Sequence, residues 1–280
     1  MSQELAISFG CAGARMVGIL HLPEGPAKRA VLIVTGGPQY RVGSHRQFVL
    51  LARQLARSGH AVMRFDYRGM GDSGGKPQSF RSIGLDIRAA IQQILAAAPQ
   101  VEQVVLCGLC DGATAAAFYA PQDTRVSGLI LLNPWTRTET GAARVTLRHY
   151  YGGRIGQAEF WRKLAGGGIR LRELAASLVR TCLSAFGSIR AENEEEDEQL
   201  PTRLHRALVS FQGKILVVLS GEDFTAREFA ALQSQHLHWA QLMHEQRVRQ
   251  ATLPMANHTF SRAVWREEVA TLCADWISSW

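Results

Sequence analysis

Val104-Val105-Leu106-Cys107-Gly108-Leu109-Cys110-Asp111-Gly112-Ala113-Thr114-Ala115 joins an apolar, β-branched run to a Gly-x-Cys-x-Gly core and then to a stretch of small residues. Such a passage predicts a strand that turns sharply into a helix. Gly108 and Gly112 stand two positions to either side of Cys110, where a side chain would collide as the backbone folds back on itself. Cys110 is then expected at the apex of the turn, with its sulfur clear of the backbone near a helix N-terminus, whose partial positive charge favours thiolate. The same residues also read as Cys-x-x-Cys, a redox pair of Cys107 and Cys110, or as ordinary buried cysteines.

The rest of the chain bears on that choice. At 280 residues and 46% hydrophobic content it can bury one large core, or a core with a smaller appendage. Its five cysteines are odd in number and widely spread, which does not suit a disulfide framework and fits a reducing compartment. The opening Met1-Ser2-Gln3-Glu4 lacks both a basic leader and an apolar core, and no run reaches the length of a membrane span, so a cytoplasmic location is expected. The net charge of +7 is carried by arginines scattered through every segment, a generally basic surface without a dedicated nucleic-acid face. No nucleic acid, metal or cofactor is called for; the oligomeric state is open.

Upstream of the turn, Glu4 to Gly10 and Arg15 to Leu22 predict an antiparallel hairpin. Ala30-Val31-Leu32-Ile33-Val34 is a short, wholly apolar run, the mark of a strand covered on both faces, and it ends in Thr35-Gly36-Gly37-Pro38. Ser44 followed by Gln47 predicts a capping box for a helix from about residue 45 to Ser58. A strand over His60 to Tyr67 leads into Arg68-Gly69-Met70-Gly71-Asp72-Ser73-Gly74-Gly75, and Ile83, Ile87, Ile91 and Ile94 mark one face of the next helix. Leu129-Ile130-Leu131-Leu132 ends at Asn133-Pro134 as a further buried strand. Strand and helix alternate long enough to require a parallel sheet with helices on both faces, an α/β fold.

The alternation breaks over residues 135–211, a stretch with helical patterning at Leu171, Leu174, Leu178 and Cys182 and an acidic run from Glu192 to Glu198. It is expected to be a helical lid insertion over the carboxyl edge of the sheet, leaving a core of residues 1–134 and 212–280. The alternation then resumes with a strand over Ile215 to Leu219, a helix from Thr225 to about Glu245, a strand from Arg247 to Leu253 and a terminal helix carrying Trp265, Val269, Leu272 and Trp276.

A nucleophile at such a turn needs a base to take and return its proton, and the base needs an orienting acid. In a sheet of this order both belong at the ends of later strands, acid before histidine. Asp223 follows the strand Ile215 to Leu219, and His258 follows the strand ending at Leu253. Cys110, Asp223 and His258 are therefore the candidate catalytic set. Glu222 is the alternative acid. Taken one at a time, the acid reads as a turn or cap residue and the histidine as a polar loop residue; the weight lies in their joint placement. His45, His205, His236, His238 and His244 have no such position.

With these residues in view, the whole chain resembles an α/β-hydrolase. Thr35-Gly36-Gly37-Pro38 stands at the place of the family's His-Gly-x-Pro oxyanion loop, and Asp66-Tyr67-Arg68-Gly69-Met70-Gly71-Asp72-Ser73-Gly74 matches its Asp-x-Arg-Gly-x-Gly-x-Ser segment. The resemblance implies that the backbone N–H groups of Gly37 and Asp111 form the oxyanion hole. More narrowly, Gly-Leu-Cys-Asp-Gly with Gly-Gly-Pro-Gln-Tyr-Arg resembles the bacterial hydrolases associated with the exosortase A system. Threonine replaces the loop histidine, and cysteine replaces serine as it does in dienelactone hydrolases. The activity implied is hydrolysis of a small-molecule ester or thioester through a Cys110 acyl-enzyme. Acyl transfer by the same residues, a thiol–disulfide protein and a catalytically silent binding protein stand beside it.

Overall fold

The computed structural model describes residues 3–37, 39–136 and 200–280. The predicted insertion falls largely outside the described residues: its leucine stripe from Leu171 to Leu178, Cys182 and the Glu192 to Glu198 run are all beyond them.

The chain opens as the expected hairpin, β1 (Gln3–Cys11) against β2 (Ala14–Leu22), turning at Ala12 and Gly13 with φ of 47° and 79°. Then come β3 (Arg29–Val34), β4 (Ala61–Asp66), β5 (Gln103–Leu109), β6 (Val126–Leu132), β7 (Lys214–Ser220) and β8 (Val248–Leu253), in the sheet order β1-β2-β4-β3-β5-β6-β7-β8. From β4 to β8 every pairing is parallel, and β2 joins β4 antiparallel. Side chains alternate between the faces of a strand, so the apolar runs feed two separate cores. Ala30, Leu32 and Val34 of β3 enter one, while Val31 and Ile33 enter the other.

Helices α1 (Gln47–Arg57) and α7 (Ala263–Ser278) close one face, where Phe48, Leu51 and Leu55 meet the layer holding Val269, Cys273 and Trp276. On the other face lie α2 (Gly84–Ala97), whose Ile87, Ile91 and Ile94 are wholly buried, and α3 (Asp111–Tyr119). Helix α4 (Leu200–Ser210) sends Leu204 and Leu208, followed by Phe211, into that same core. The compact unit of the sheet spans residues 1–135 and 203–280, so it resumes nine residues before residue 212.

Two local expectations are corrected. Ser44 makes no capping bond; it begins a 3-10 turn (Ser44–Arg46) in which His45 and Arg46 have φ of 53° and 59°, and α1 starts only at Gln47. Upstream, Asp66 takes the backbone N–H of Arg41 at 2.7 Å and so sets the approach of this loop from the sheet. The single helix expected from Thr225 to Glu245 is two: α5 (Phe224–Gln235) and α6 (Leu237–Met243), separated at His236, which is extended with φ −131° and ψ 117°. The break lets Trp239 turn inward against Phe229, their rings 5.4 Å apart, while Leu237 stays exposed. Trp239 is thereby almost wholly buried, and burial of an aromatic ring of this size is a large favourable term.

Candidate active site

Strand β5 ends at Leu109, and α3 begins at Asp111. Cys110 alone makes the turn, with φ 59° and ψ −126°, a conformation that costs a non-glycine residue about 1–3 kcal/mol and persists only where packing imposes it. The imposing contacts come from the flanking glycines. A Cβ on Gly108 would lie 2.4 Å from the Gly112 carbonyl carbon, and one on Gly112 would lie 2.5 Å from the Val34 carbonyl oxygen. Strand end, turn and helix start are therefore packed backbone to backbone, as the Gly-x-Cys-x-Gly spacing predicts.

Asp223 and His258 arrive from the ends of β7 and β8. The Asp223 carboxylate is a helix cap as well as a partner for histidine: Oδ2 accepts the Ala226 N–H at 3.0 Å at the start of α5 and contacts His258 Nδ1 at 2.9 Å. Hydrogen bonds to Asp223 and then to Cys110 raise the His258 pKa from 6.5 to about 10, against the opposing effect of burial. Asp223 and His258, predicted from their strand ends, are thus joined by a hydrogen bond, and His258 shares one cleft with Cys110. Glu222, the alternative acid, points away into solvent and pairs with Arg227 at 3.2 Å.

The Gly37 N–H converges on the start of α3 as the resemblance implies, but its partner there is the Asp111 carboxylate, with Gly37 N to Oδ2 at 2.8 Å. The N–H groups of Asp111 itself and of Gly112 also hold this carboxylate and oppose the upward push that burial gives its pKa. The sequence offered one signal for this: an acid placed directly after the elbow, at the positive end of a helix.

Two supporting networks were not read from the sequence. Asn133, fully buried at φ 44°, accepts the Ser220 N–H at 2.8 Å and donates to Ser220 Oγ at 2.8 Å and to the His258 carbonyl at 2.9 Å. Ser220 Oγ in turn donates to the Asn257 carbonyl at 2.9 Å, so the loop carrying His258 is tied to the ends of β6 and β7. The second network ties the loop after β3 to the segment after β4. Buried Asp66 binds Arg41 through both backbone and guanidinium, and it also takes the Asp72 N–H at 3.1 Å. A Cβ at Gly71, where φ is +52°, would fall 2.2 Å from Asp66 Oδ2, which accounts for glycine at that place in the Asp-x-Arg-Gly-x-Gly-x-Ser segment. Arg68 of the same segment forks onto buried Asp86, both bonds at 2.9 Å.

An open cleft of about 270 Å³ lies over these groups, lined by Gly36, Gly37, Gln39, Phe80, Cys110, Asp111, Trp135 and His258. Cys107 is not part of it: its side chain is wholly buried in the same layer as Cys273, and burial pushes its thiol pKa up to about 12. Neither Cys107 nor Cys110 is in a disulfide. Among the described residues there is no group of three metal-ligating side chains and no helix long and apolar enough to cross a membrane.

A family model described as serine aminopeptidase, S33, matches residues 25–227, most of the chain and the whole run from β3 to the beginning of α5. The protein belongs to this family of α/β-hydrolases. The family's name refers to a serine enzyme, whereas the residue at this chain's strand–helix turn is Cys110. No curated protein matches it. Among solved structures its fold is shared with a Pyrococcus furiosus esterase at 14% identity, with TM-score 0.67 and coverage of 100% of this chain and 93% of the other. It is shared with the ferulic-acid-bound Est1E of Butyrivibrio proteoclasticus at 15% identity, TM-score 0.65, 98% and 100% covered. A dienelactone hydrolase of Anabaena variabilis matches at 15% identity, TM-score 0.62, with 100% and 98% covered.

Proposed function

We propose that the hydrolase cleaves activated small-molecule acyl esters, thioesters above all, through a Cys110 acyl-enzyme, with His258 as general acid and base and Asp223 as its orienting acid. The observation that carries this reading is the Asp223–His258 hydrogen bond beside Cys110, which sits at a strained strand–helix turn in the same cleft. His258 takes the Cys110 proton as the sulfur attacks. The thiolate adds to the acyl carbon, the C–S bond forms, and the carbonyl pair moves onto oxygen. N–H groups at Gly37 and Asp111 then face the developing oxyanion. Collapse breaks the bond to the leaving group, which departs with the proton from His258. Water next gives a proton to His258 and attacks the acyl carbon, and cleavage of the C–S bond releases the carboxylic acid and restores the pair.

Phe80 and Trp135 in the cleft wall suit an apolar or aromatic acyl group. The esterase neighbours and a dienelactone hydrolase are consistent with ester chemistry, and the loops Gly-Gly-Pro-Gln-Tyr-Arg and Gly-Leu-Cys-Asp-Gly support a place among the hydrolases associated with the exosortase A system. Residues 135–211 are assigned on this reading to selecting the substrate.

Sulfur decides the leaving group. The tetrahedral adduct of a thiolate with an alkyl ester expels either that thiolate or a much more basic alkoxide, and it mostly reverts. A thioester, aryl ester or strained lactone carries a leaving group comparable with Cys110, so forward collapse competes. With matched substrates of one acyl chain, kcat/KM for the thioester should exceed that for the ethyl ester by at least tenfold, the Cys110→Ser variant should narrow the ratio, and intact mass should place the acyl adduct on Cys110. Equal values for the native enzyme, or an adduct at another residue, would show the reading to be wrong.

A further inference from the structure

A group that would stabilise the oxyanion is already engaged. The Gly37 N–H donates to Asp111 Oδ2 at 2.8 Å, and the neighbouring Gly112 N–H donates to Oδ1 at 3.1 Å. The surrounding backbone makes room for it: a Cβ on Gly36 would fall 2.0 Å from Asp111 Oδ1 and 2.7 Å from the Gly112 nitrogen. An acidic residue in the first turn of a helix usually faces solvent and interacts with the dipole from outside. Here the side chain instead reaches a loop 74 positions away in sequence, and it lines the same cleft as Cys110 and His258.

We propose that Asp111 is a built-in occupant of the oxyanion hole, a carboxylate gate that an incoming acyl oxygen has to displace. The inference rests on Cys110 being the nucleophile. The Gly37 and Asp111 N–H groups satisfy one anionic oxygen site at a time, and a carboxylate and a tetrahedral oxyanion cannot share them without placing two negative charges in contact. In the resting hydrolase the carboxylate satisfies the Gly37 donor, which also ties the loop at Gly37 to the start of α3. During acylation it has to leave, and the work of removing it is subtracted from the stabilisation the hole provides. Asp111 therefore sets which substrates acylate the enzyme: those with acyl carbons reactive enough, or bound tightly enough, to displace it.

The consequence is testable because an emptied carboxylate site should accept a free carboxylate. Three rates are compared in the native protein and in Asp111→Ala: acylation by phenyl thioacetate in the pre-steady state, alkylation of Cys110 by iodoacetamide, and acylation in the presence of formate. Iodoacetamide reports the thiolate without needing an oxyanion hole. The gate predicts acylation of Asp111→Ala at least tenfold faster, with an upper bound of about 10²–10³ set by the worth of an oxyanion donor. Alkylation normalises for any change in thiolate reactivity, so the gain in acylation should exceed any change in alkylation by about tenfold or more, and formate should slow the variant while leaving the native enzyme unaffected. Acylation of the variant that is unchanged or slower overturns the gate, as does formate acting equally on both proteins. Asp111→Asn, nearly isosteric and neutral, holds the donors less strongly and should show a smaller gain; if the alanine variant does not fold, the absence of any gain in the asparagine variant overturns the proposal. Failure of the underlying reading looks different: neither the native protein nor a variant would then carry an acyl group on Cys110.

Discussion

Replacing Asn133 by alanine should unfold the hydrolase more readily than most single substitutions, and the arithmetic is local. Asn133 makes three hydrogen bonds from a fully buried site, to the Ser220 N–H, to Ser220 Oγ and to the His258 carbonyl. A hydrogen bond contributes about 1 kcal/mol net, and a buried N–H left without an acceptor costs about 1–3 kcal/mol. Its φ of 44° adds a term of about 1–2 kcal/mol for an alanine, which asparagine largely escapes. With partial relaxation the loss should be about 3–5 kcal/mol, a large fraction of the whole stability of an ordinary domain. The backbone term separates from the hydrogen-bond term in Asn133→Gly, which makes none of the side-chain bonds but accepts the positive φ. The glycine variant should be the more stable of the two by roughly 0.5–1 kcal/mol, the reverse of the usual order. Urea unfolding measures both as shifts of midpoint at unchanged slope. Because the same bonds anchor the His258 loop, kcat/KM should fall about ten- to hundredfold in either variant under conditions where it is folded. A loss below about 1 kcal/mol for Asn133→Ala, or alanine more stable than glycine, would refute the reasoning about what Asn133 does.

Cys110→Ala should abolish turnover in a folded protein while Cys107→Ala keeps most of it; equal damage from the two would favour a redox pair. Asp223→Asn should lower kcat by about 10²-fold or more, whereas Glu222→Gln should leave it within about twofold, and steady-state rates that show the reverse would move the orienting acid to Glu222. His21 is fully buried and accepts from the Arg64 guanidinium at 3.0 Å, and burial, with Arg64 second, lowers its pKa from 6.5 to about 4. Its folded-state pKa lies below the unfolded value, so its contribution to stability is present above pH 6.5 and is lost as the pH falls towards about 4. Urea midpoints of the native protein should therefore drop more steeply than those of His21→Gln across that window, by up to about 1.4 kcal/mol per pH unit; parallel curves would exclude the effect.

The sequence by itself determined the fold and the positions from which the site is assembled. Wholly apolar runs such as Ala30 to Val34 have no face to leave in water, so they require a sheet covered on both sides, and the two cores of the structure follow from the period of two along each strand. The Gly-x-Cys-x-Gly spacing was legible because its cause is steric and local: no Cβ fits at residues 108 and 112. Asp223 and His258 were legible because a parallel sheet delivers the ends of successive strands to one edge. What only the tertiary structure decided depends on pairs far apart in the chain. The Asn133–Ser220–His258 ties span 87 and 125 positions, and nothing in the local pattern around Asn133 distinguishes it from a turn residue. The break of a helical pattern at His236 follows from where Trp239 can be buried, and the idle cap at Ser44 lies in a loop whose backbone Asp66 engages at Arg41. Asp111 is the sharpest case. Its place after the elbow is a fact of sequence, but whether its carboxylate faces water or the Gly37 N–H depends on a loop 74 residues earlier, because a hydrogen bond is a matter of ångströms and the chain records only order.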